Sequence, residues 1–347
     1  MNHRKTLVVL AVSALAAFNT AAAPTAAEAA RLGKDLTPVG AEKAGNKEGT
    51  IPAWTGGLCA PPAGYKPANG KSGFPYVDPF AAEKPIASIT AANVGQWADK
   101  LDPGALELFK RFPATYRMDV YTTHRTACLP DWVYDNTIKR VMNPKLVGDA
   151  PGLEGAHAQI PFPIPKTGQE AMWNAVTQYH PVYFGGDWQT WLVDAGGNKT
   201  LVAKASTRYH WEYWDNTKTK SDKVQGLLNQ NTSPASKAGS MDMRINWARM
   251  DEKAPRAWSY TPGQRRVRLA PEFTYDTVAA QYGGMIVFDE ISGFDGKMDR
   301  FDFKIIGKKE ILVPYNHYRH HAAAAAAGSI DPLMMKDHVN PDHMRWE

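Results

Sequence analysis

The chain has 347 residues and a formal net charge of +5, from 40 basic and 35 acidic residues. A charge balance this mild does not indicate a nucleic-acid-binding protein. Aromatic residues make up 11% of the chain and are interrupted by 28 glycines and 25 prolines, so the composition favours strands and long loops over a helical bundle.

Residues 1–27 predict a secretory signal peptide. A short basic start precedes residues 7–18, which form an apolar stretch too short to cross a bilayer. Small residues follow and offer cleavage near Ala22 or near Ala27. An uncleaved membrane anchor is the alternative interpretation. We therefore expect a periplasmic protein that is soluble once its signal peptide is removed.

Residues 28–85 predict an extended N-terminal arm. Prolines occur throughout this stretch and exclude long helices. Rings such as Trp54, Tyr65 and Phe80 also fall here, although disordered linkers are poor in aromatic residues. We expect an ordered arm that buries its rings against the rest of the protein.

The chain has two cysteines, Cys59 and Cys128. In an oxidising compartment they could form one disulfide, which would stabilise the fold by about 4 kcal/mol through loop closure. Two buried free thiols are the alternative. The cysteine and histidine spacing does not match a zinc site.

Three helices are predicted after the arm. Thr90 can cap a helix that reaches about Lys100. Asp102 can cap the next helix. A proline follows it at the first helical position, where the missing N–H of proline costs nothing. Thr167 and Glu170 have the spacing of a capping box at the start of the third helix.

The hydrophobic period changes from helical to two after about residue 181. The clearest strand runs from Leu201 to Trp214, with one apolar face and one mostly polar face. Its apolar face includes Tyr209, Trp211 and Tyr213. We expect these three rings to point towards the helices.

Shorter stretches alternate in the same way. They place further apolar side chains on one face of each strand, namely Met241, Met243, Ile245, Trp247, Val267, Leu269, Phe301, Phe303 and Ile305. A sheet with one polar face must cover its apolar face, and the upstream helices are the available cover. The predicted fold class is α+β: a curved antiparallel sheet within residues 86–347, with helices covering its concave face.

Long motifs rich in glycine and proline run through the chain. They are Leu-Thr-Pro-Val-Gly-Ala-Glu-Lys-Ala-Gly-Asn at 36–46, Gly-Thr-Ile-Pro-Ala-Trp-Thr-Gly-Gly at 49–57, and further stretches at 152–165, 262–268 and 306–316. With these motifs the chain resembles a bacterial periplasmic family, the domain-of-unknown-function 1329 family. The resemblance covers nearly all of the chain that follows the predicted signal peptide.

That family is in turn similar to the LolA/LolB-like lipoprotein-localisation superfamily. The resemblance implies a half-open antiparallel barrel that holds acyl chains between its sheet and its helices. It also implies partners: an inner-membrane transporter of the resistance–nodulation–division type and an outer-membrane barrel protein. Family members usually continue past the position of Glu347, so we expect either a natural short variant or a fragment, with an unpaired sheet edge.

The common catalytic signatures do not occur in the sequence, and the resemblance brings no catalytic residues with it. Two clusters have residue types that can bind metals. The alternative interpretation is a solvated tail for the histidine cluster and a polar turn for the aspartate cluster. These clusters are His317, His320, His321, His338 and His343, and Asp295, Asp299 and Asp302. Neither has the spacing of a known site. We expect a protein that is not an enzyme, with no cofactor and no metal.

The functional expectation is a carrier of lipid-like molecules that works with an envelope transporter. Its hydrophobic cavity is predicted to be lined by Tyr209, Trp211, Tyr213, Trp247, Phe301, Phe303 and Ile305. One alternative is a structural protein that docks to an outer-membrane partner without binding ligand, and another is a hydrolase whose site the sequence does not reveal. The strand residues Arg266 and Arg268 could contact anionic head groups or form an ordinary solvated face.

Overall fold

The computed structural model describes residues 23–67, 76–149, 151–270, 275–316, 318, 338–341 and 343–347. The described chain forms a mixed α+β fold dominated by antiparallel strand pairs. Most of the predicted signal peptide, residues 1–22, lies outside the described residues. None of the helices in the described part of the chain is long and apolar enough to cross a membrane.

The described α-helices are short. They are α1 Ala26–Ala29, α2 Pro103–Arg111, α3 Asp131–Lys139 and α4 Gly168–Val176. Helix α2 begins after Asp102, whose side chain accepts a hydrogen bond from the Ala105 N–H, as predicted. Helix α4 begins with the predicted capping box of Thr167 and Glu170.

The prediction of a helix capped by Thr90 was wrong in part. The segment Val94–Lys100 is a 3₁₀ helix, and its first residue follows Asn93. Thr90 lies further upstream, where its N–H donates to the Asn93 side-chain oxygen at 2.8 Å. The asparagine side chain therefore organises the turn before this helix, and Thr90 does not cap it.

The strands are short at the two ends of the chain and long in the middle. They are β1 Ala87–Ile89, β2 Met118–Val120, β3 Lys145–Val147, β4 Gly152–Glu154, β5 Tyr183–Val193, β6 Lys199–His210, β7 Lys223–Ser233, β8 Met241–Trp247, β9 Arg256–Thr261, β10 Arg266–Leu269, β11 Leu312–Pro314 and β12 Met344–Trp346. Strands β5 to β10 form one antiparallel sheet in chain order, so each strand pairs with its sequence neighbours. Strand β10 is an edge of this sheet.

A second, four-stranded sheet has the order β1-β2-β12-β11. It packs with α2 around a core of its own, whose buried residues are Ile89, Leu101, Ala105, Phe109, Tyr116, Met118, Val120, Leu312 and Met344. Strand β12 pairs with both β2 and β11, so residues distant in sequence complete this sheet. Strands β3 and β4 form a separate hairpin.

The N-terminal arm is attached to the chain that precedes α3. Cys59 and Cys128 form a disulfide, with their Cα atoms 5.3 Å apart, within the range expected for a disulfide. Beside it, the Leu58 N–H donates to the Thr126 carbonyl at 2.9 Å. Gly57 lies so close to this chain that a Cβ atom would come within 2.1 Å of the Ala127 carbonyl oxygen.

Several of the strand predictions need correction. Strand β6 ends at His210, four residues before the predicted end, and a 3₁₀ turn follows at Glu212–Trp214. Residues 301–310 are not a strand. In β8 the predicted faces are reversed: Arg244 and Asn246 are buried, whereas Met243 is exposed. In β8 the buried face is the one whose Arg244 and Asn246 bind the Asp295 carboxylate of another segment. Val267 and Leu269 of β10, which were also predicted to face the core, are exposed as well.

The cover of the sheet also differs from the prediction. Helices α3 and α4 pack around the residues that follow β6, through buried side chains such as Val133 and Trp173. The middle of the sheet is instead covered by a 3₁₀-rich segment, residues 275–295, which we call the cover segment. Its Tyr282 stacks on Trp188 of β5, with ring centroids 6.3 Å apart.

Candidate functional site

Two of the predicted cavity residues, Trp211 and Tyr213, are part of a packed core. Trp211 is 6% exposed and stacks on His180, with ring centroids 4.3 Å apart. Tyr213 is fully buried and donates its hydroxyl to the Gln159 carbonyl at 2.7 Å. Both rings pack in the same cluster as Trp173 of α4. They face the helices, as predicted, but they fill a core and do not line either of the two cavities described below.

Three other predicted residues lie away from the sheet. Phe301 and Phe303 pack edge-on against Phe294, each with ring centroids 5.3 Å apart. Phe303 and Ile305 border a separate open groove of about 1020 Å³ beside the start of α4. Trp247 is half-buried at the end of β8, under the Lys253 ammonium group at 5.1 Å. The seven predicted residues therefore do not form one site.

Tyr209 lines a cavity of about 480 Å³ between the sheet and the cover segment, which we call the sheet cavity. Its apolar lining includes Trp188, Leu227, Tyr282 and Phe288. The volume lies within the range of small-molecule sites in proteins. Burial raises the pKa of both Tyr209 and Tyr282, so both phenols stay neutral at physiological pH.

The wall formed by the sheet carries a row of polar side chains. The strand register places Thr207 of β6 opposite Asn229 of β7, and Asn229 opposite Asp242 of β8. The Thr207 hydroxyl donates to the Asn229 side-chain oxygen at 2.7 Å and accepts from the Trp188 indole N–H at 2.6 Å. Since the side-chain oxygen of Asn229 accepts from Thr207, the side-chain nitrogen of Asn229 is the group that can donate to Asp242.

The polar row continues to one end of the sheet cavity. Asn231 donates to the Ser240 hydroxyl at 3.0 Å, and Lys237 and Ser240 also line the cavity. Desolvation raises the pKa of Asp242 above its ordinary value, while hydrogen bonds from Asn231 and Asn229 and the charge of Lys237 oppose that shift. This end therefore offers hydroxyl, amide, ammonium and carboxylate groups to a polar part of a ligand.

The cover segment is fixed to the sheet by Asp295. Its carboxylate forms an ion pair with Arg244, and Asn246 donates to it at 2.9 Å. Arg244 also lies over the Phe288 ring, 5.7 Å from its centroid. Paired buried charges of this kind are costly to break, so these contacts hold the cover segment over the cavity.

The clusters considered as metal sites have other contacts. Asp295 pairs with Arg244, while Asp299 accepts from the Tyr275 hydroxyl and pairs with Lys297 at 3.1 Å. Within the described ranges, there is no group of three or more residues that could hold a metal ion. His317, His320 and His321 lie outside the described residues.

The polar row was missed by the sequence analysis. Thr207 stood among apolar residues on one face of β6, and β7 was not identified as a strand, so its asparagines had no place in the sheet. Asp242 was assigned to the outer, wet face of β8. The one available signal was the alternation of Asn229 and Asn231 with Gln230, which places both asparagines on one face of any strand.

Comparisons with known proteins agree with the family resemblance. A family model described as a protein of unknown function, DUF1329, matches residues 88–347, and the chain belongs to this family. An uncharacterized protein of Pseudomonas aeruginosa, PA3922, is 38% identical over 346 residues, which cover 98% of this chain and 73% of that protein. No solved structure matches the chain.

Proposed function

We propose that this member of the DUF1329 family is a non-enzymatic periplasmic carrier or accessory protein for lipid-like molecules, working with an envelope transporter. The observation that carries the proposal is the sheet cavity, whose lining combines apolar side chains with a row of polar side chains. Such a cavity suits an amphiphilic molecule, whose two parts need different surroundings.

The apolar part of the lining can shield a hydrocarbon chain from water. Exposing a methylene group to water costs about 0.8 kcal/mol, so even a short acyl chain gains several kcal/mol in an apolar cavity. Tyr209 and Tyr282 supply large, rigid surfaces with few torsions to freeze on binding. A carrier needs contacts of this shape-tolerant kind, because its ligand must also be released.

The polar row can hold a head group. Lys237 carries a positive charge, and Asp242 and Ser240 lie nearby on the same cavity wall. A ligand with hydroxyl, phosphate or carboxylate groups can bind there while its chain lies against Tyr209 and Leu227. We therefore propose that the head group lies at the Lys237 end of the cavity.

The proposal that this protein takes part in transport is based on the family resemblance. A LolA/LolB-like half-open barrel would hold its ligand between a curved sheet and a cover, and the position of the sheet cavity between strands and the cover segment supports this part of the proposal. The predicted signal peptide supports a periplasmic location. The proposed partners are a resistance–nodulation–division-type transporter and an outer-membrane barrel protein.

The test is binding of a dansyl-labelled fatty acid to the purified chain, followed by fluorescence. Leu227→Trp places a larger side chain in the cavity, and we expect it to weaken binding at least tenfold. Leu228→Trp is the matched control, since the next residue of β7 points to the other face of the sheet. Native mass spectrometry of protein recovered from the envelope should also show retained lipid.

The alternative of a structural protein makes the opposite prediction. It expects no retained lipid and no binding of the labelled fatty acid by the wild-type chain. Binding that is equally weakened by Leu227→Trp and Leu228→Trp would place the ligand elsewhere and contradict the assignment to the sheet cavity.

A further inference from the structure

The face of the sheet opposite the cavity carries apolar side chains in two continuous rows. The strand register aligns Met243, Trp258 and Leu269 in one row across β8, β9 and β10, and Met241, Tyr260 and Val267 in the next. We call these six residues the outer patch. Neighbouring strands are about 4.8 Å apart, so side chains in these rows contact one another and form one surface.

The outer patch is accessible to water. Met243 is 38% exposed, Leu269 55% and Val267 60%, while the other three side chains are half-buried. The patch extends to the edge of the sheet, because among the described strands β10 pairs with β9 alone. Large contiguous apolar surfaces that are exposed often mark an interaction site.

The charges around the outer patch are mainly positive. Arg208 lies in the Met243 row, one strand beyond Leu228, and Arg256 lies two residues before Trp258 on the same face. Both arginines are exposed. The structure describes every strand residue of this sheet. Among them, Asp187 on β5 is the one carboxylate on the face that carries the outer patch. Arg266 and Arg268 of the edge strand are also exposed, but they alternate with Val267 and Leu269 and therefore belong to the other face of the sheet.

We propose that the outer patch binds the surface of an anionic lipid membrane. Tryptophan and tyrosine rings are suited to the boundary between head groups and acyl chains, where one end of the ring is apolar and the other is wet. The long arginine side chains can lie along apolar surface while their guanidinium groups reach lipid phosphates. The combination of an apolar centre and a basic surround matches such a membrane in both hydrophobicity and charge.

This inference does not depend on the proposed function, because the side chains of the outer patch alternate along each strand with those that face the sheet cavity. Met243, Trp258 and Tyr260 also border that cavity. A carrier would gain from it, since a sheet resting on the membrane keeps the cavity close to a source of lipid.

Flotation with lipid vesicles tests the proposal, with protein recovered from the bacterial envelope. We expect binding to vesicles of phosphatidylethanolamine and phosphatidylglycerol, and at least tenfold weaker binding to neutral phosphatidylcholine vesicles. The double substitution Val267→Asp, Leu269→Asp should abolish binding to the anionic vesicles. Thr200→Asp, which adds a charge at an exposed position near the start of β6, is the control and should bind as the wild type does.

A second pair of variants keeps the test valid if the aspartate variant does not fold. Arg208→Gln and Arg256→Gln leave the apolar rows intact, and each should weaken binding about fivefold, or about 1 kcal/mol. Both should still bind the dansyl-labelled fatty acid. Equal binding to anionic and neutral vesicles, or no effect of these variants, would overturn the proposal. Loss of self-association in the aspartate variant without any vesicle binding would assign the patch to a protein interface and also overturn it.

Discussion

At the scale of single residues, Trp211 lies where the chain leaves β6 and enters the core. Its backbone N–H donates to the Val182 carbonyl at 2.8 Å, and the Trp214 N–H donates back to the Trp211 carbonyl at 3.0 Å. The chain therefore turns at Trp211, where the sequence pattern continued the strand. This turn carries Tyr213 and Trp214 into the core beside α4.

The core position of Trp211 predicts a stability effect. Trp211→Ala should lower the free energy of unfolding by about 3–5 kcal/mol, because it leaves a large cavity among packed rings. Urea unfolding measures this loss. The control is Tyr183→Ala, which removes a ring that is 70% exposed and should cost about 1 kcal/mol or less. Equal effects of the two substitutions would contradict the core assignment.

Asp242 predicts a pH-dependent effect on stability. Because desolvation raises its pKa in the folded state, the folded protein binds the proton more tightly than the unfolded chain does. Stability is then lost as the pH rises from the ordinary aspartate value of 3.8 through the raised pKa. Asp242→Asn should therefore be more stable than the wild type at pH 7, as measured by urea unfolding.

The same comparison at pH 3.5 supplies the control for Asp242. Below the ordinary pKa the carboxyl is protonated in both states, so the stabilisation by Asp242→Asn should largely disappear. A variant that is less stable than the wild type at pH 7 would show that the charge of Lys237 and the amide hydrogen bonds outweigh desolvation.

At the scale of the elements, local signals were reliable where the chain itself supplies the partner. The capping residues of α2 and α4 lie three residues from the backbone N–H groups that donate to their side chains, and the sequence identified both. The alternation of β6 was also correct between Ala203 and Arg208, where odd positions are buried and Lys204 and Arg208 are exposed.

Local patterns gave the wrong prediction where a distant segment determines which face of a strand is buried. Alternation in β8 separates two faces but does not say which one is covered. The cover segment brings Asp295 to one face, and its carboxylate binds Arg244 and Asn246 there. A buried ion pair fifty residues apart in sequence has no local signature, so the polar side of the strand became the inner side and the outer patch remained exposed.

Removing the Asp295 carboxylate should loosen the cover segment. Asp295→Ala leaves the buried guanidinium of Arg244 without this carboxylate. If the cover segment unfolds together with the rest of the protein, the free energy of unfolding should fall by about 3–5 kcal/mol. We expect part of the effect to appear locally, as faster proteolysis and faster amide exchange within residues 275–295. Exchange measured by mass spectrometry distinguishes these outcomes.

The matched control for the cover segment is Asp299→Ala. Asp299 is in the same part of the chain but pairs with Lys297 and Tyr275, and it does not hold the segment to the sheet. It should leave exchange in residues 275–295 close to that of the wild type. Equal exchange in the two variants would show that the Arg244 contact does not fix the cover.

At the scale of the whole molecule, the two larger sheets of the described chain have separate cores. The core of the long sheet contains Trp173 and Trp214, whereas the four-stranded sheet has its own core around Phe109. The sequence predicted one sheet, because the strands of the smaller sheet have three residues each and come from both ends of the chain. Such short strands show too little alternation to be identified.

This arrangement predicts that stability and ligand binding can be separated. Phe109 is 2% exposed and packs against Tyr116, with ring centroids 4.7 Å apart. Phe109→Ala should lower the free energy of unfolding by about 3–5 kcal/mol, through a cavity in the smaller core. Its affinity for the dansyl-labelled fatty acid should stay within about twofold of the wild type, because the sheet cavity lies in the other sheet.

The contrast with the cavity variant makes the prediction specific. Leu227→Trp should weaken binding at least tenfold while changing stability less than Phe109→Ala does, since it fills a space in the sheet cavity and removes no core contact. Both properties are measured on the same samples, by urea unfolding and by fluorescence titration under conditions where each variant is folded. A large loss of affinity in folded Phe109→Ala would mean that the smaller core shapes the cavity, and that the two sheets act as one unit in binding.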